Sequence, residues 1–189
     1  SHMGEIFVNG REAEDFVNHI FTNQIKGFPA GKILYGMMCY PSGGVVDDLL
    51  VYREFTPDSF LLVVNAANIA KDFEWILSAA ECNPLTGRPF DCEIRNESPL
   101  WGQVAVQGPG AEDTLNSTLG LDCCRDLGFY TFCDAIYEGE RMIVSRTGYT
   151  GEDGFELYTT PELTVKIWNK LVSEGVTPCG LGCRDTLRF

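Results

Sequence analysis

Two adjacent aspartates, Asp47 and Asp48, stand in the middle of the apolar run "GGVVDDLLVY" at positions 43–52. The β-branched and apolar residues around them predict a strand, in which side chains alternate between two faces. One of the two carboxylates must therefore point toward the core, where its burial costs free energy unless it is paired or hydrogen-bonded. Two interpretations are open: a β-bulge or strand start with both aspartates solvated, or a carboxylate lining a pocket for a cationic or N–H-bearing ligand.

A second candidate group lies in "SRTGYTGEDGFELY" (145–158), where two Thr-Gly turns enclose Tyr149. A plain hairpin needs a single turn, so this stretch is either an elaborate hairpin loop or part of a site. On the strand that follows, Glu156 faces opposite to its apolar neighbours. Bound phosphate is disfavoured here because Glu152 and Asp153 would repel it.

A third candidate is Arg184 in "GLGCRDTLR", where a glycine-containing loop leads into a predicted helix. Its guanidinium could pair with a carboxylate of a ligand or of the protein, and a charge pair at a helix end is an equally good interpretation.

The elements that must position these residues follow a repeated pattern. "EIFVNGREAEDFVN" begins at position 5, and the similar "QVAVQGPGAEDTLN" begins at position 103. Each half predicts the order strand–helix–strand–strand–strand–helix. The sequence therefore predicts an α+β fold of two similar units, 1–98 and 99–189, with mostly antiparallel sheets and helices on one face of each. Such a duplication also suggests a ligand crevice between the halves.

Composition narrows the function classes. The formal net charge of −13 disfavours a nucleic-acid partner, which needs clustered Lys and Arg. No apolar run reaches the length of a membrane span. The eight cysteines include no CxxC pair, and the two histidines argue against a His-rich metal site. Reduced thiols in a cytosolic or organelle-matrix protein are the expectation.

Taken together, several stretches resemble the T-protein family of the glycine cleavage system, the aminomethyltransferases. They occur in the same order as in that family and span nearly the whole chain: "SHMGEI", "GGVVDDLLVY", "VVNAANIAKDFEWI", "AVQGP", "SRTGYTGEDGFELY" and "GLGCRDTLR". The resemblance implies that the protein transfers the methylene of an aminomethyl-lipoyl carrier, the H-protein, to tetrahydrofolate and releases ammonia. It also implies a bacterial cytoplasm or a mitochondrial matrix as the location.

The resemblance assigns roles to individual residues. It implies that Asp48 is the catalytic aspartate, with Asp47 pointing away as a structural residue, and it implies no metal. The folate contacts that it implies are Met3, Tyr35, Leu50, Asn65, Glu156 and Arg184, the last also linked to the H-protein. The chemistry agrees, because a buried carboxylate such as Glu156 can accept two N–H bonds from a pterin edge. Asp48 would orient folate and stabilise positive charge as ammonia leaves.

Family members are longer, and the resemblance implies a preceding segment and a C-terminal barrel-like domain that this sequence does not contain. Cys183 also stands where the family usually has alanine. The alternatives are a non-enzymatic folate-binding module or a folate-dependent demethylase of the same superfamily, or a folded fragment without binding activity. The superfamily members that aid iron–sulfur assembly carry a Lys-Gly-Cys motif, which this sequence lacks.

Overall fold

Antiparallel sheets with α-helices packed on them form both halves of the chain. The structure, a computed structural model, describes residues 3–187. The backbone divides into two compact units, Ser1–Pro99 and Leu100–Phe189. Each unit is described by itself below.

The first unit contains five strands and two α-helices. In chain order these are β1 (Met3–Asn9), α1 (Ala13–Ile20), β2 (Ile33–Cys39), β3 (Val45–Arg53), β4 (Ser59–Asn65), α2 (Ile69–Ala80) and β5 (Glu93–Asn96). The strands pair in the order β2-β3-β4-β1-β5, and every pair is antiparallel. The turn at "PSGG" (41–44) joins β2 to β3 and is closed by a hydrogen bond from the Tyr40 N–H to the Gly44 carbonyl.

The core of this unit lies between one face of the sheet and the two helices. Alternate residues of β1, β3 and β4 point toward the helices, as the two-residue period of a strand requires. Helix α1 contributes Phe16, Val17 and Ile20, whose spacing puts them on one side of the helix. Burying an apolar side chain of this size is worth about 1.5–3 kcal/mol, so this face fixes the register of the sheet.

The second unit contains four strands and three α-helices. In chain order these are β6 (Gly102–Gln107), α3 (Ala111–Leu119), β7 (Phe132–Tyr137), β8 (Glu140–Ser145), β9 (Gly154–Thr159), α4 (Pro161–Ser173) and α5 (Leu181–Leu187). The sheet order is β6-β9-β8-β7, again antiparallel throughout. Helix α4 begins after Thr160, whose side chain accepts a hydrogen bond from the Leu163 N–H, with Pro161 in the first turn.

The α+β fold predicted from the sequence is confirmed, and both units contain the expected order strand–helix–strand–strand–strand–helix. Strand β5 was not predicted. Three of its four residues are polar and exposed, and their stretch is rich in Pro, Gly and Asn. Pairing with the edge of β1 makes it a strand, which its own composition does not indicate. None of the helices in residues 3–187 combines the length and apolar character needed to cross a membrane.

Candidate functional site

The face of the first sheet opposite to α1 and α2 carries all the site residues predicted in this unit. These residues are Met3, Tyr35, Asp48, Leu50 and Asn65. Tyr35 pairs with Leu50 across β2 and β3, and Met3 pairs with Asn65 across β1 and β4. The β3–β4 register places Asp48 beside Asn65. Four strands thus bring these positions, up to 62 residues apart in sequence, onto one surface.

Two hydrogen-bond donors hold the carboxylate of Asp48. The Tyr35 hydroxyl donates to Oδ2 at 2.9 Å, and Asn65 Nδ2 donates to Oδ1 at 3.2 Å. The same Asn65 nitrogen lies 3.1 Å from the Asp48 carbonyl oxygen, which fixes the amide against the strand. Tyr35 is 52% exposed and Asp48 is half-buried. The carboxylate is therefore oriented from two sides but still open to an approaching group.

Asp47 takes the opposite face, toward the helices. A register irregularity between Met38 and Cys39 shows that the β-bulge interpretation is right about the backbone. The solvated state it implied is wrong, because Asp47 is 9% exposed and accepts from Asn65 at 3.1 Å and Asn68 at 2.9 Å. These bonds supply the pairing that a buried carboxylate requires.

Burial alone would raise the pKa of Asp47, but hydrogen bonds outweigh it. They come from Asp72, Asn68, Asn65 and the backbone N–H of Asp48, and they lower the pKa below its ordinary value. Asp47 is thus an anion at neutral pH.

Asp72 on α2 is a second buried carboxyl group beside Asp47. It is fully buried, and Lys71 Nζ lies 3.4 Å from its Oδ1. Burial and the neighbouring Asp47 raise its pKa to about 7. The sequence did not single out Asp72. A signal was present, since it stands between Ile69 and Ile76 at the spacing of the apolar face of the helix.

Glu156 in the second unit is buried on β9, on the face opposite to Phe155 and Leu157, as predicted. Its Oε1 accepts from Gln103 Nε2 at 2.7 Å and its Oε2 accepts from the Thr147 hydroxyl. Burial raises its pKa, and the Thr147 hydrogen bond opposes that shift. Two of the roughly four acceptor positions of a carboxylate are filled, so it can accept further N–H donors.

Gln103 and Thr147 were not predicted as site residues. Gln103 Nε2 also donates to the Tyr158 hydroxyl at 3.0 Å, while its Oε1 is buried and has no hydrogen-bond partner in the part of the chain that the structure describes. An unpaired buried acceptor costs about 1–3 kcal/mol, which a donor on a ligand would offset. The two-residue alternation of β6, which puts Gln103 opposite to the apolar Val104, was the available signal.

Arg184 lies on α5, and its guanidinium carbon is 4.8 Å from the centre of the Tyr149 ring. Its Nε is buried and has no hydrogen-bond partner within residues 3–187. Burial and the charge of Glu156 raise the pKa of Tyr149, while the charge of Arg184 lowers it. Tyr149 thus has both Glu156 and Arg184 among its charged neighbours within the second unit.

Asp153, one of the two acids expected to repel phosphate, has a structural partner. Arg146 donates from Nε to Asp153 Oδ1 at 2.9 Å and also binds its second oxygen, and it contacts Glu112 at 3.1 Å. This bidentate pair lowers the pKa of Asp153 and anchors the turn that precedes β9.

The sequence model of the family described as the GCVT N-terminal domain matches residues 1–189. The chain belongs to this family. Among curated proteins, the GCVT N-terminal domain described here is similar to aminomethyltransferases from Thermotoga neapolitana (46% identical) and Alkaliphilus metalliredigens (44% identical). Both matches cover all of this chain and 51% and 50% of those proteins.

A solved structure gives the same result. The crystal structure of the glycine cleavage system aminomethyltransferase T from Bartonella henselae matches with a TM-score of 0.85 and 29% identity. The match covers all of this chain and 48% of that one. The chain thus spans about half the length of the relatives it matches. Their names do not favour a non-enzymatic folate-binding module or a demethylase.

Proposed function

We propose that this GCVT N-terminal domain is the folate-binding part of a glycine cleavage aminomethyltransferase. The reaction moves the methylene of an aminomethyl-lipoyl H-protein to tetrahydrofolate and releases ammonia. The observation that carries this proposal is the surface around Asp48, where Tyr35 and Asn65 both donate to its carboxylate. A bacterial cytoplasm, or a mitochondrial matrix in a eukaryote, is the proposed location.

The chemistry of the residues within each unit suits a folate. Tetrahydrofolate supplies the two nitrogens that accept the methylene, and its pterin ring presents N–H donors along one edge. Glu156 has acceptor positions left, and the buried Oε1 of Gln103 lacks a donor. We assign Glu156 to the pterin edge, and Met3 and Leu50 to the apolar surface of the ligand. Arg184 is assigned to folate and to the docking of the H-protein.

Asp48 acts by its charge and its position. An iminium-like methylene and a leaving ammonia both carry developing positive charge, and a fixed carboxylate stabilises that charge without reorganising. Tyr35 and Asn65 hold Asp48 in place before the substrate arrives. Such preorganised groups are commonly worth about 100- to 1000-fold in rate.

Titration calorimetry with tetrahydrofolate tests the binding part of the proposal. We expect Glu156→Gln to weaken binding by about 10-fold or more, because a carboxylate–donor bond is lost. Asp48→Asn should weaken binding less, but in the full-length protein it should reduce the transfer rate by about 100-fold or more.

The controls make the same chemical changes at exposed acids. Asp58 lies in the turn between β3 and β4 with a φ of 55°, a backbone conformation that Asn tolerates well, so Asp58→Asn is the first control. Glu162→Gln lies in the first turn of α4. Both should bind folate like the unchanged protein. If neither this chain nor the full-length protein binds tetrahydrofolate, the proposal is wrong.

A further inference from the structure

Beneath Asp48, on the other face of β3, lies a compact group of polar side chains. Asp47 and Asp72 are within hydrogen-bond reach of each other, and Lys71 Nζ is 3.4 Å from Asp72 Oδ1. Lys71 also donates to the Val46 carbonyl. Asp72 is fully buried, and apart from Lys71 no donor in the described part of the chain reaches its oxygens.

The hydrogen bonds that Asp47 accepts decide which carboxyl group of the Asp47–Asp72 pair carries the proton. Asp47 accepts from the Asp48 backbone N–H at 3.0 Å, from Asn68 at 2.9 Å and from Asn65 at 3.1 Å. All three donors carry their hydrogens at every physiological pH, so Asp47 must remain an acceptor. Two buried carboxylates in contact cannot both be charged without a large cost. The proton of the pair therefore belongs to Asp72, which donates it to the fourth acceptor position of Asp47.

Asn65 connects this pair to the proposed catalytic carboxylate. Its Nδ2 lies 3.1 Å from Asp47 Oδ1, 3.1 Å from the Asp48 carbonyl oxygen and 3.2 Å from Asp48 Oδ1. One amide nitrogen has two hydrogens, so three acceptors compete for them. If Asp47 loses the proton donated by Asp72, its demand on Asn65 rises and the bond to Asp48 weakens.

We propose that Asp72 is a positioning residue for Asp48, acting through Asp47 and Asn65. By donating its proton to Asp47, Asp72 leaves the Asn65 amide available to orient the Asp48 carboxylate. The effect on transfer rests on the proposed function, whereas the linkage among these side chains does not.

The surroundings contain few other charges. The ionisable groups with the largest effect on Asp72 are Asp47 from β3 and Lys71 from its own helix. Helix α1 and strands β1 and β4 also pack against α2, and the core residues they contribute are apolar. Asp48 lies on the far face of β3. The loss of the Asp72 proton would thus leave two carboxylates with one nearby ammonium.

The first test uses the ligand-free chain and needs no folate. Carboxyl ¹³C NMR should show one member of the Asp47–Asp72 pair titrating near pH 7, where burial places Asp72. The side-chain amide signals of Asn65 should shift with the same midpoint, and Asp72→Asn should abolish that shift. The proposal would be overturned if neither Asp47 nor Asp72 titrates between pH 5.5 and 8.5, or if the Asn65 amide signals do not shift with that titration.

The second test compares transfer rates in the full-length protein across pH. Asp72→Asn keeps the shape and donates a hydrogen bond permanently, so the ratio of variant to unchanged rate should rise from about 1 at pH 6 to about 5 at pH 8.5. Glu74→Gln, exposed on the same helix, should give a flat ratio near 1. A flat ratio for Asp72→Asn would contradict the positioning role.

The two tests separate the possible failures. If the unchanged full-length protein transfers no methylene, the proposed function is wrong, and the NMR titration still decides whether Asp72 and Asn65 are linked. If Asp72→Asn does not fold, the titration of the unchanged chain decides alone.

Discussion

Glu5 and Asp47 are both buried carboxyl groups in the first unit, and they differ in the number of hydrogen-bond donors around them. Asp47 has several donors, and its pKa is lowered. Among the described residues, neither oxygen of Glu5 has a hydrogen-bond partner, and burial raises its pKa to about 8. Glu5 shares a face with Asp48, because Glu5 and Leu50 both pair with Val63. Glu5 therefore carries a proton at neutral pH.

The protonation of Glu5 predicts how stability depends on pH. Because its pKa is above the ordinary 4.5, the folded chain binds more protons than the unfolded chain between about pH 4.5 and 8. The free energy of unfolding should fall as pH rises through that range. Glu5→Gln removes this pH-dependent contribution. In urea unfolding, the free energy of unfolding of the variant should therefore exceed that of the unchanged chain by about 2–4 kcal/mol at pH 8.5, with little difference at pH 4.5.

Asp72 titrates in an overlapping pH range and also changes the free energy of unfolding there. The contribution of Glu5 is therefore read from the difference between variant and unchanged chain at each pH. Glu93→Gln makes the same change at an exposed position of the first unit and should follow the unchanged chain at every pH. Parallel stability curves for Glu5→Gln and the unchanged chain would contradict the prediction.

At the residue level, the sequence predicts positions better than partners. Strand alternation puts Asp47 and Asp48 on opposite faces, and the family resemblance selects Asp48. Neither reveals that Asn65 contacts both aspartates, because that depends on the register of β4 against β3. Asp72 and Glu5 were missed for the same reason. A buried acid in a helix or strand is identified by what covers it, which is set by tertiary contacts.

At the level of elements, each unit uses a glycine where its first strand meets its last long helix. A Cβ on Gly4 of β1 would lie 2.5 Å from Ile69 Cγ1 at the start of α2. A Cβ on Gly102 of β6 would similarly contact Thr164 on α4. The two glycines are equivalent in the repeat found in the sequence. Close approach of strand and helix is thus common to both units.

Gly4→Ala is predicted to destabilise the chain by about 1–3 kcal/mol, because the added methyl group overpacks against Ile69. In an Ile69→Ala background the added methyl group should cost clearly less, since the two nearest atoms, Cγ1 and Cδ1 of Ile69, are gone. A double-mutant cycle measured by urea unfolding gives this coupling.

Gly44→Ala is the matched control for this cycle. Its added Cβ would lie 3.8 Å from the nearest atom, an ordinary contact, and its backbone is not left-handed. A cost for Gly4→Ala that is unchanged in the Ile69→Ala background would show that the steric explanation is wrong.

The regular elements were predictable because their apolar periodicity is strong and repeated. The short elements were not. Strand β5 is mostly polar, and the 3₁₀ turns at 66–68, 98–100 and 122–126 have no periodic pattern of their own. Such segments take their conformation from hydrogen bonds to the rest of the unit. The bond from the Glu5 N–H to the Ser98 hydroxyl, across 93 residues, is one example.

Across the whole molecule, the eight cysteines are free and differ widely in burial. Cys82 in the first unit is exposed, whereas Cys124 in the second is fully buried, and burial raises the pKa of its thiol to about 12. At pH 7.5 we expect alkylation of Cys124 to be at least about 100-fold slower than that of Cys82, because the reagent needs an accessible thiolate.

Peptide mass spectrometry after isotope-coded iodoacetamide treatment measures both rates in one sample. In urea the two cysteines should react at similar rates, which provides the internal control. Comparable rates in the native protein would contradict the burial of Cys124.

The alternation of β3 has a consequence for insertions and deletions. Removing a single residue from the Tyr40–Gly44 turn would slide β3 by one position against β2, and every side chain on the strand would change faces. Asp47 would then occupy the open surface and Asp48 would enter the core. The length of this turn therefore decides which aspartate faces the open surface, and removing residues in pairs would keep each side chain on its face but move Asp48 two positions away from Asn65.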